Sequence, residues 1–529
     1  MPLAANRRLS PQTSPRLPAV SALALTALLA VSGCSRPAND ATVAPAAAAG
    51  SQASANMGDR EVWEINEIAG KRVGYAKTTI HPETVNGRSG VRIEGLSQMK
   101  FQRAGQGVEM EVQFDSTETA DGHLVDFNCK IAQGAMLIQQ TSGRVEGDQL
   151  QLNLTTMGKT LKSSIPWSTS YGGLIAGEQS LWRSPMKPGE TRKFQALMPG
   201  FNLVATTTLA AQQYEPVEIL GKSQELLRID MTTTFGDGQS QRGTLWTDRQ
   251  GEILRKREEA MDMMTIRVPK AVALAEPGGN TPYDLMLGMS VNLDRPLNSA
   301  HASRRIRYVL QLDGANPADV FPSGCSQAIK SLGTNEAEVT VYAVRPDQPG
   351  NASAPADPPS DEDRQANNMI QSDNPAIVAL AQKVVPEEKD PWKVAVALEK
   401  YVRGYIVAAD YSQAFATAAQ VAESRRGDCT EHAVLLAALA RARGIPARVA
   451  VGLVYTEQTG QPSFGFHMWD EVYVADRWIP LDATLARGGI GAAHLKLAHT
   501  SLASASAFTS FLPVAQVAGK LRIKVAEVE

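Results

Sequence analysis

Three residues near the C-terminal end of the chain, Cys429, His467 and Asp482, have the types and the order that nucleophilic acyl transfer needs. A thiol attacks the acyl carbon, an imidazole takes and returns the proton, and a carboxylate fixes the imidazole's tautomer and stabilises its cation. The cysteine lies in Arg425-Arg426-Gly427-Asp428-Cys429-Thr430-Glu431-His432, which reads as the start of a helix. Asp428 is a good N-cap, and Glu431 stands where a capping-box carboxylate reaches back to the cap's own N–H. Cys429 then falls in the first turn, where the helix dipole and exposed N–H groups favour a thiolate. Its own backbone N–H is a candidate oxyanion donor.

The elements that must position these groups follow in order. Ala433 to Ala440 is apolar on nearly every face, so the helix is expected to be buried. Arg441, Arg443, Gly444 and Pro446 give it a C-terminus. Ala447 to Tyr455, His467 to Val474 and Trp478 to Thr484 read as strands, with Gly460 to Gly465 as a loop. Side chains alternate faces along a strand, so the hairpin joining the last two decides whether His467 and Asp482 meet. A two-residue Ala475-Asp476 loop sets Asp482 opposite Trp469, diagonal to His467 on one face; a three-residue loop without a bulge separates them. The even loop is the expectation.

Other groups compete for these roles. His432 lies three residues after Cys429 on the same helix, a neighbour without the reach of a facing strand; it is expected beside the site or in the core. Asp482 is preferred to Asp470 and Glu471, which flank His467 on its own strand, and Trp469 is expected to wall the site. Asp428 belongs to the immediate surroundings. His494 and His499 have no partner at metal-ligand spacing, and no CxxC, HExxH or calcium loop occurs, so neither metal nor cofactor is expected.

Gly427-Asp428-Cys429, Gly444-Ile445-Pro446-Ala447-Arg448, His467-Met468-Trp469-Asp470-Glu471-Val472-Tyr473 and Leu481-Asp482-Ala483-Thr484 together resemble the core of the transglutaminase-like superfamily. The resemblance runs from about Ala366 to Leu497. It implies a papain-like α+β fold and a Cys-His-Asp triad on Cys429, His467 and Asp482. That superfamily holds cross-linking enzymes, cysteine proteases, amidases and members without activity. The helix around Trp392 to Tyr405 is similar to the one that precedes the nucleophile; Trp392 is read there as a core aromatic rather than an oxyanion wall.

The chain has 529 residues, enough for roughly three domains, and its 43% apolar and 20% charged residues mark it as globular. A net charge of −3 with scattered basic residues gives no footprint for nucleic acid. Residues 1–34 form a targeting segment: Arg7 and Arg8, an apolar run from Ala19 to Val31, then Val31-Ser32-Gly33-Cys34. This resembles a bacterial lipobox, which implies lipid on Cys34 and a mature chain starting there. Ser35 after it points to the periplasmic face of the outer membrane. Of the other cysteines, Cys129 and Cys325 fall in different regions and are expected as separate thiols.

Residues 35–59 are an Ala/Ser/Pro-rich tether. Residues 60–275 are expected to be all β, a curved antiparallel sheet or open barrel; period-2 alternation is plain in Val108-Glu109-Met110-Glu111-Val112-Gln113-Phe114. A small β domain is expected over 282–345, with Arg304–Leu312 pairing Glu338–Val344. Residues 346–363 read as an exposed loop that could fold over the site, and 364–529 as the catalytic domain. Within it Ala366 to Gln382 and Asp390 to Ile406 read as helices, Ser501 to Phe511 as helical or irregular, and Lys520 to Val525 as a closing strand.

Two functions remain in view. One is a membrane-tethered periplasmic thiol enzyme acting on an amide or peptide bond of a protein or peptide, with hydrolysis favoured over cross-linking. The other is a non-catalytic lipoprotein that holds lipid or peptide in its β domain and uses the papain-like domain as a scaffold.

Overall fold

The computed structural model describes residues 59–529 except 86, 157, 237–239, 277–281, 411–415, 458–459 and 504–509. The lipobox, the tether and most of Ser501–Phe511 lie outside the described residues.

Fourteen antiparallel strands form one sheet. The first eight are β1 (Arg60–Ile68), β2 (Lys71–Val85), β3 (Arg88–Arg103), β4 (Gln106–Thr119), β5 (Leu124–Gln133), β6 (Met136–Glu146), β7 (Gln149–Thr156) and β8 (Lys159–Pro166). After helix α1 (Ala176–Arg183) come β9 (Thr191–Met198), β10 (Leu203–Ile219), β11 (Lys222–Thr234), β12 (Ser240–Thr247), β13 (Ile253–Glu258) and β14 (Met263–Arg267). The order is β8 to β1 in sequence, then β14 back to β9, so β1 and β14 join two meanders. Leu181 of α1 packs with Leu209, Leu227 and Leu245, while Trp182 packs against Ile80, Val91 and Ile93. Those strands lie far apart in the sheet order, so the sheet must curve round the helix. A curved antiparallel sheet was the expectation, and this is one.

The remaining strands build two smaller sheets. β15 (Val291–Asn292), β19 (Ala447–Thr456), β20 (Ser463–Val474), β21 (Arg477–Leu481) and β22 (His494–Thr500) form one, with β20 between β15 and β19 and also pairing β21. β16 (Arg305–Leu312), β17 (Gln327–Ser331), β18 (Glu336–Tyr342) and β23 (Leu521–Val528) form the other, in the order β17-β18-β16-β23. The β16–β18 pairing is the expected one. The segment 282–345 is nevertheless not self-contained. β23 completes its sheet, because Leu521, Ile523 and Val525 need a buried face and Ile306, Tyr308 and Leu310 provide it. β15 meanwhile joins the neighbouring sheet.

Four helices follow: α2 (Pro375–Val384), α3 (Pro391–Tyr405), α4 (Ala418–Ser424) and α5 (Cys429–Ala442); α3 and α5 pack on the β19–β22 sheet, and α2 and α4 pack on α5. α2 is shorter than expected. Asn374 caps it and Pro375 takes its first position, while Asn367 turns the chain before it by accepting from Met369 and Ile370 N–H. One apolar core runs from Ile68 in β1 to Val525 in β23.

Candidate active site

Every residue of α5 from Cys429 to Arg441 is buried, as its continuous apolar run requires. Its start has the expected capping box: Asp428 Oδ1 accepts from Thr430 N–H at 2.8 Å, and Glu431 Oε2 accepts from Asp428 N–H at 2.9 Å. Gly427 before it has φ of 150°, and a Cβ there would lie 2.3 Å from Glu431 Cβ. Only glycine lets the chain turn so tightly into the helix that carries Cys429. Burial, then the adjacent Asp428 carboxylate, pushes the Glu431 carboxyl well above its ordinary range.

The β20–β21 hairpin has the two-residue loop. Val474 pairs Arg477 and Asp470 pairs Leu481, while Ala475 and Asp476 both have positive φ, a type I′ geometry. Asp482 therefore falls opposite Trp469 and reaches His467, whose Nε2 donates to Asp482 Oδ2 at 2.8 Å. His467 Nδ1 makes no hydrogen bond and is the ring atom left for the Cys429 thiol, whose charge the imidazole feels. Burial opposes a charged ring here. The Asp482 carboxylate and its hydrogen bond, and then Cys429, outweigh it and raise His467 to about 10. Asp482 is held well below the usual carboxylate range: burial opposes this, and His467 and then His494 overcome it.

Around these three the structure adds groups that were not foreseen. Asp482 Oδ1 accepts from Thr484 N–H at 2.8 Å and Thr484 Oγ1 at 2.6 Å, and Oδ2 also takes His494 Nε2 at 3.1 Å. His494, which has no partner at metal-ligand spacing in the sequence, is buried on the Asp482 carboxylate, and burial lowers its pKa. Glu399 of α3 accepts from the backbone N–H of Asp482 at 3.2 Å and Gly488 at 2.8 Å. Burial, against those hydrogen bonds, lifts it to about 7. A signal for Glu399 existed, since it sits among Val394, Ala395, Leu398 and Val402 on the buried face of its helix. Nothing in the sequence separates His494 from an ordinary strand residue.

The other candidates fall as follows. His432 is buried, but its Nδ1 faces the Asp428 carbonyl oxygen at 2.6 Å, back along its own helix. Trp469 stacks beside His467, ring centroids 6.3 Å apart at 20°. It has room because a Cβ on Gly452 would meet its ring at 2.8 Å and Leu495 O at 2.0 Å. Glu471 is engaged elsewhere, where Lys496 bonds both its oxygens at 2.6 Å and Arg448 Nε donates at 2.8 Å. Burial opposes its charge, yet these cations bring it down to about 2. Trp392 packs partly buried against the core. Residues 346–363 dock through Asp357 on Arg448 and Trp478, four residues along the strand pair from His467. Neither Cys129 nor Cys325 is in a disulfide.

A contact from the N-terminal sheet reaches the same place. β3 and β4 turn through Ala104 and Gly105, and at that tip Arg103 Nη2 donates to Asp428 Oδ2 at 2.6 Å. Both side chains are almost wholly buried. The helix that carries Cys429 is thus tied to a strand 325 residues earlier.

His467, Asp482 and His494 place one ligand atom each within 4.8 Å of the others, a spacing that could hold a metal ion. The fit is poor. Metal-binding histidines usually anchor their second nitrogen on a carboxylate or carbonyl, and the Nδ1 atoms of both rings lack such a partner. The three groups are enclosed on all sides: Cys429 and His467 are 0% exposed and Asp482 1%.

Comparison with known proteins bears on the same segment. The model of the transglutaminase-like superfamily matches residues 378–483, which include Cys429, His467 and Asp482. The chain carries a transglutaminase-like core. No curated protein matches the chain. Among solved structures, a candidate cysteine protease from Cytophaga hutchinsonii is similar at 17% identity and TM-score 0.27, over 42% of this chain and 86% of that one. The periplasmic domain of TgpA from Pseudomonas aeruginosa, bound to ethylmercury, is similar at 17% identity and TM-score 0.25, over 40% and 87%. A β-barrel-like DUF1849 protein from Brucella abortus is similar at 12% identity and TM-score 0.31, over 40% and 96%.

Proposed function

We propose that the chain is a thiol enzyme that cleaves an amide or peptide bond through its transglutaminase-like core. The His467–Asp482 hydrogen bond, with His467 Nδ1 left for the Cys429 thiol, carries this reading. The thiol proton passes to His467 Nδ1. Cys429 Sγ attacks the acyl carbon, and the carbonyl oxygen takes the negative charge. The Cys429 N–H, at a helix position without an intrahelical acceptor, is aimed to stabilise it. His467 then gives its proton to the leaving amine as the C–N bond breaks, leaving an acyl-thioester. Water, deprotonated by His467, attacks the thioester and releases the acid and the thiol. Hydrolysis is favoured over amine transfer because water needs no second binding site.

The enclosed site must open for substrate, so accessibility is part of the test. Labelling by iodoacetamide, mapped by mass spectrometry, is expected at Cys429 in the wild type, slower in His467→Ala and absent in Cys429→Ala. A folded wild type whose Cys429 stays unlabelled, or labels as fast without His467, would sink the reading.

The same reading tethers the enzyme to the bacterial envelope by lipid on Cys34, as the lipobox-like Val31-Ser32-Gly33-Cys34 suggests. Among the described residues no helix is long and apolar enough to cross a membrane. Cys34→Ser is expected to move the chain from the membrane fraction to the soluble one; unchanged fractionation argues against the anchor.

A further inference from the structure

Where the fourteen-stranded sheet curves round α1, it encloses a hollow of about 1400 Å³, mouth included. Much of its wall is apolar: Leu96, Met99, Val112, Phe114, Leu174 and Met263 line it. The rest is charged, and the charges do not all have partners. Each cation on the wall has a carboxylate: Lys77 sits 3.3 Å from Glu61, Lys256 sits 2.6 Å from Glu258, and Arg267 pairs with Glu252. Two wall carboxylates are left over. Glu64 of β1 and Glu178 of α1 make no hydrogen bond or ion pair among the described residues. Glu178 Oε2 is fully covered by protein and lacks a donor. One turn further along α1, Trp182 Nε1 is a covered donor that lacks an acceptor.

Such groups are costly to leave unmade inside a protein, and the cost falls when a ligand supplies the missing partners. Burial, and then the neighbouring Glu178, pushes the Glu64 carboxyl up, with Lys256 as a partial counterweight. A ligand cation would relieve both carboxylates at once.

We propose that this hollow binds an amphiphile made of an apolar chain and a primary ammonium head. The ammonium offers three donors, suited to Glu64 and Glu178 together. An oxygen beside it would accept from Trp182 Nε1. The apolar chain lies along Met99, Val112 and Phe114. Lys256, already held by Glu258, disfavours a second cation deeper in and so fixes the head at the Glu64–Glu178 side. The site is separate from Cys429 and holds whether or not the core is an enzyme.

Calorimetric titration of the full chain with decylamine, decanol and decanoate, each below its micelle-forming concentration, tests it. One decylamine per chain is expected, with decanol and decanoate weaker by about tenfold or more, the scale of a charge-assisted hydrogen bond. Glu64→Gln with Glu178→Gln is expected to remove the preference for the amine, and Cys429→Ala to leave it unchanged. Decanol or decanoate binding as tightly as decylamine to the wild type overturns the proposal, even if the double variant does not fold. So does a folded double variant that still prefers the amine.

Discussion

In the curved sheet, Glu64 and Glu178 face a hollow without a hydrogen-bond partner, whereas in the core Asp482 holds four hydrogen bonds and Glu471 holds two cations. Both regions bury charge, but at Asp482 and Glu471 the network is completed from within the chain, and at Glu64 and Glu178 it is not. A completed network fixes geometry, which proton transfer requires; an incomplete one leaves capacity for something outside the chain. The two regions are also joined at a buried ion pair, Arg103 on Asp428, which lies beside the proposed nucleophile.

The contrast can be broken most forcibly at Glu471. Glu471→Ala leaves Arg448 and Lys496 buried without their shared carboxylate, and a loss of about 3–5 kcal/mol is expected. Chemical denaturation followed by circular dichroism reads it; a loss under about 1 kcal/mol would mean that the network is not a completed one. Arg103→Met tests the junction. It strands the Asp428 carboxylate, and a loss of about 3 kcal/mol with slower alkylation of Cys429 is expected. If the sheet and the core were independent, both readouts would stay at wild-type values.

A smaller effect compares one buried glutamate from each region. Glu118 in β4 is raised to about 7 by burial, against hydrogen bonds from Leu174 N–H, Ser116 and Gln179, and Glu399 in α3 is raised as far. The folded state holds their protons more tightly than the unfolded chain, whose carboxyls titrate near 4.5. Their contribution is therefore complete below about pH 4.5 and is lost as pH rises through about 7, roughly 1–3 kcal/mol for each. Glu118→Gln and Glu399→Gln should each flatten the decline in stability across that window. An unchanged pH slope in either variant would show that its glutamate is ionised throughout.

The sequence carried local structure well. Asp428 and Glu431 announced their capping box, Ala475-Asp476 its two-residue turn, and the alternation through Val108 to Phe114 its strand. Each depends on neighbours a few residues apart, where spacing alone decides geometry. The helix expected from Ala366 was shortened because Asn374-Pro375 outweighs the apolar pattern before it. The segment 282–345 was read as a small β domain, but the strand that completes its sheet, β23, comes from the far end of the chain.

The sequence by itself therefore determined the types and order of Cys429, His467 and Asp482, the helix start beneath the thiol and the face on which His467 and Asp482 meet. Tertiary structure alone decided the rest of their surroundings. It brought His494 and Glu399 onto Asp482, Arg103 onto Asp428, and Glu64 and Glu178 to one hollow. Those groups are separated by up to 325 residues, and no periodicity encodes them. They meet because the chain buries its apolar faces together, and the polar groups carried along must then find partners or go without.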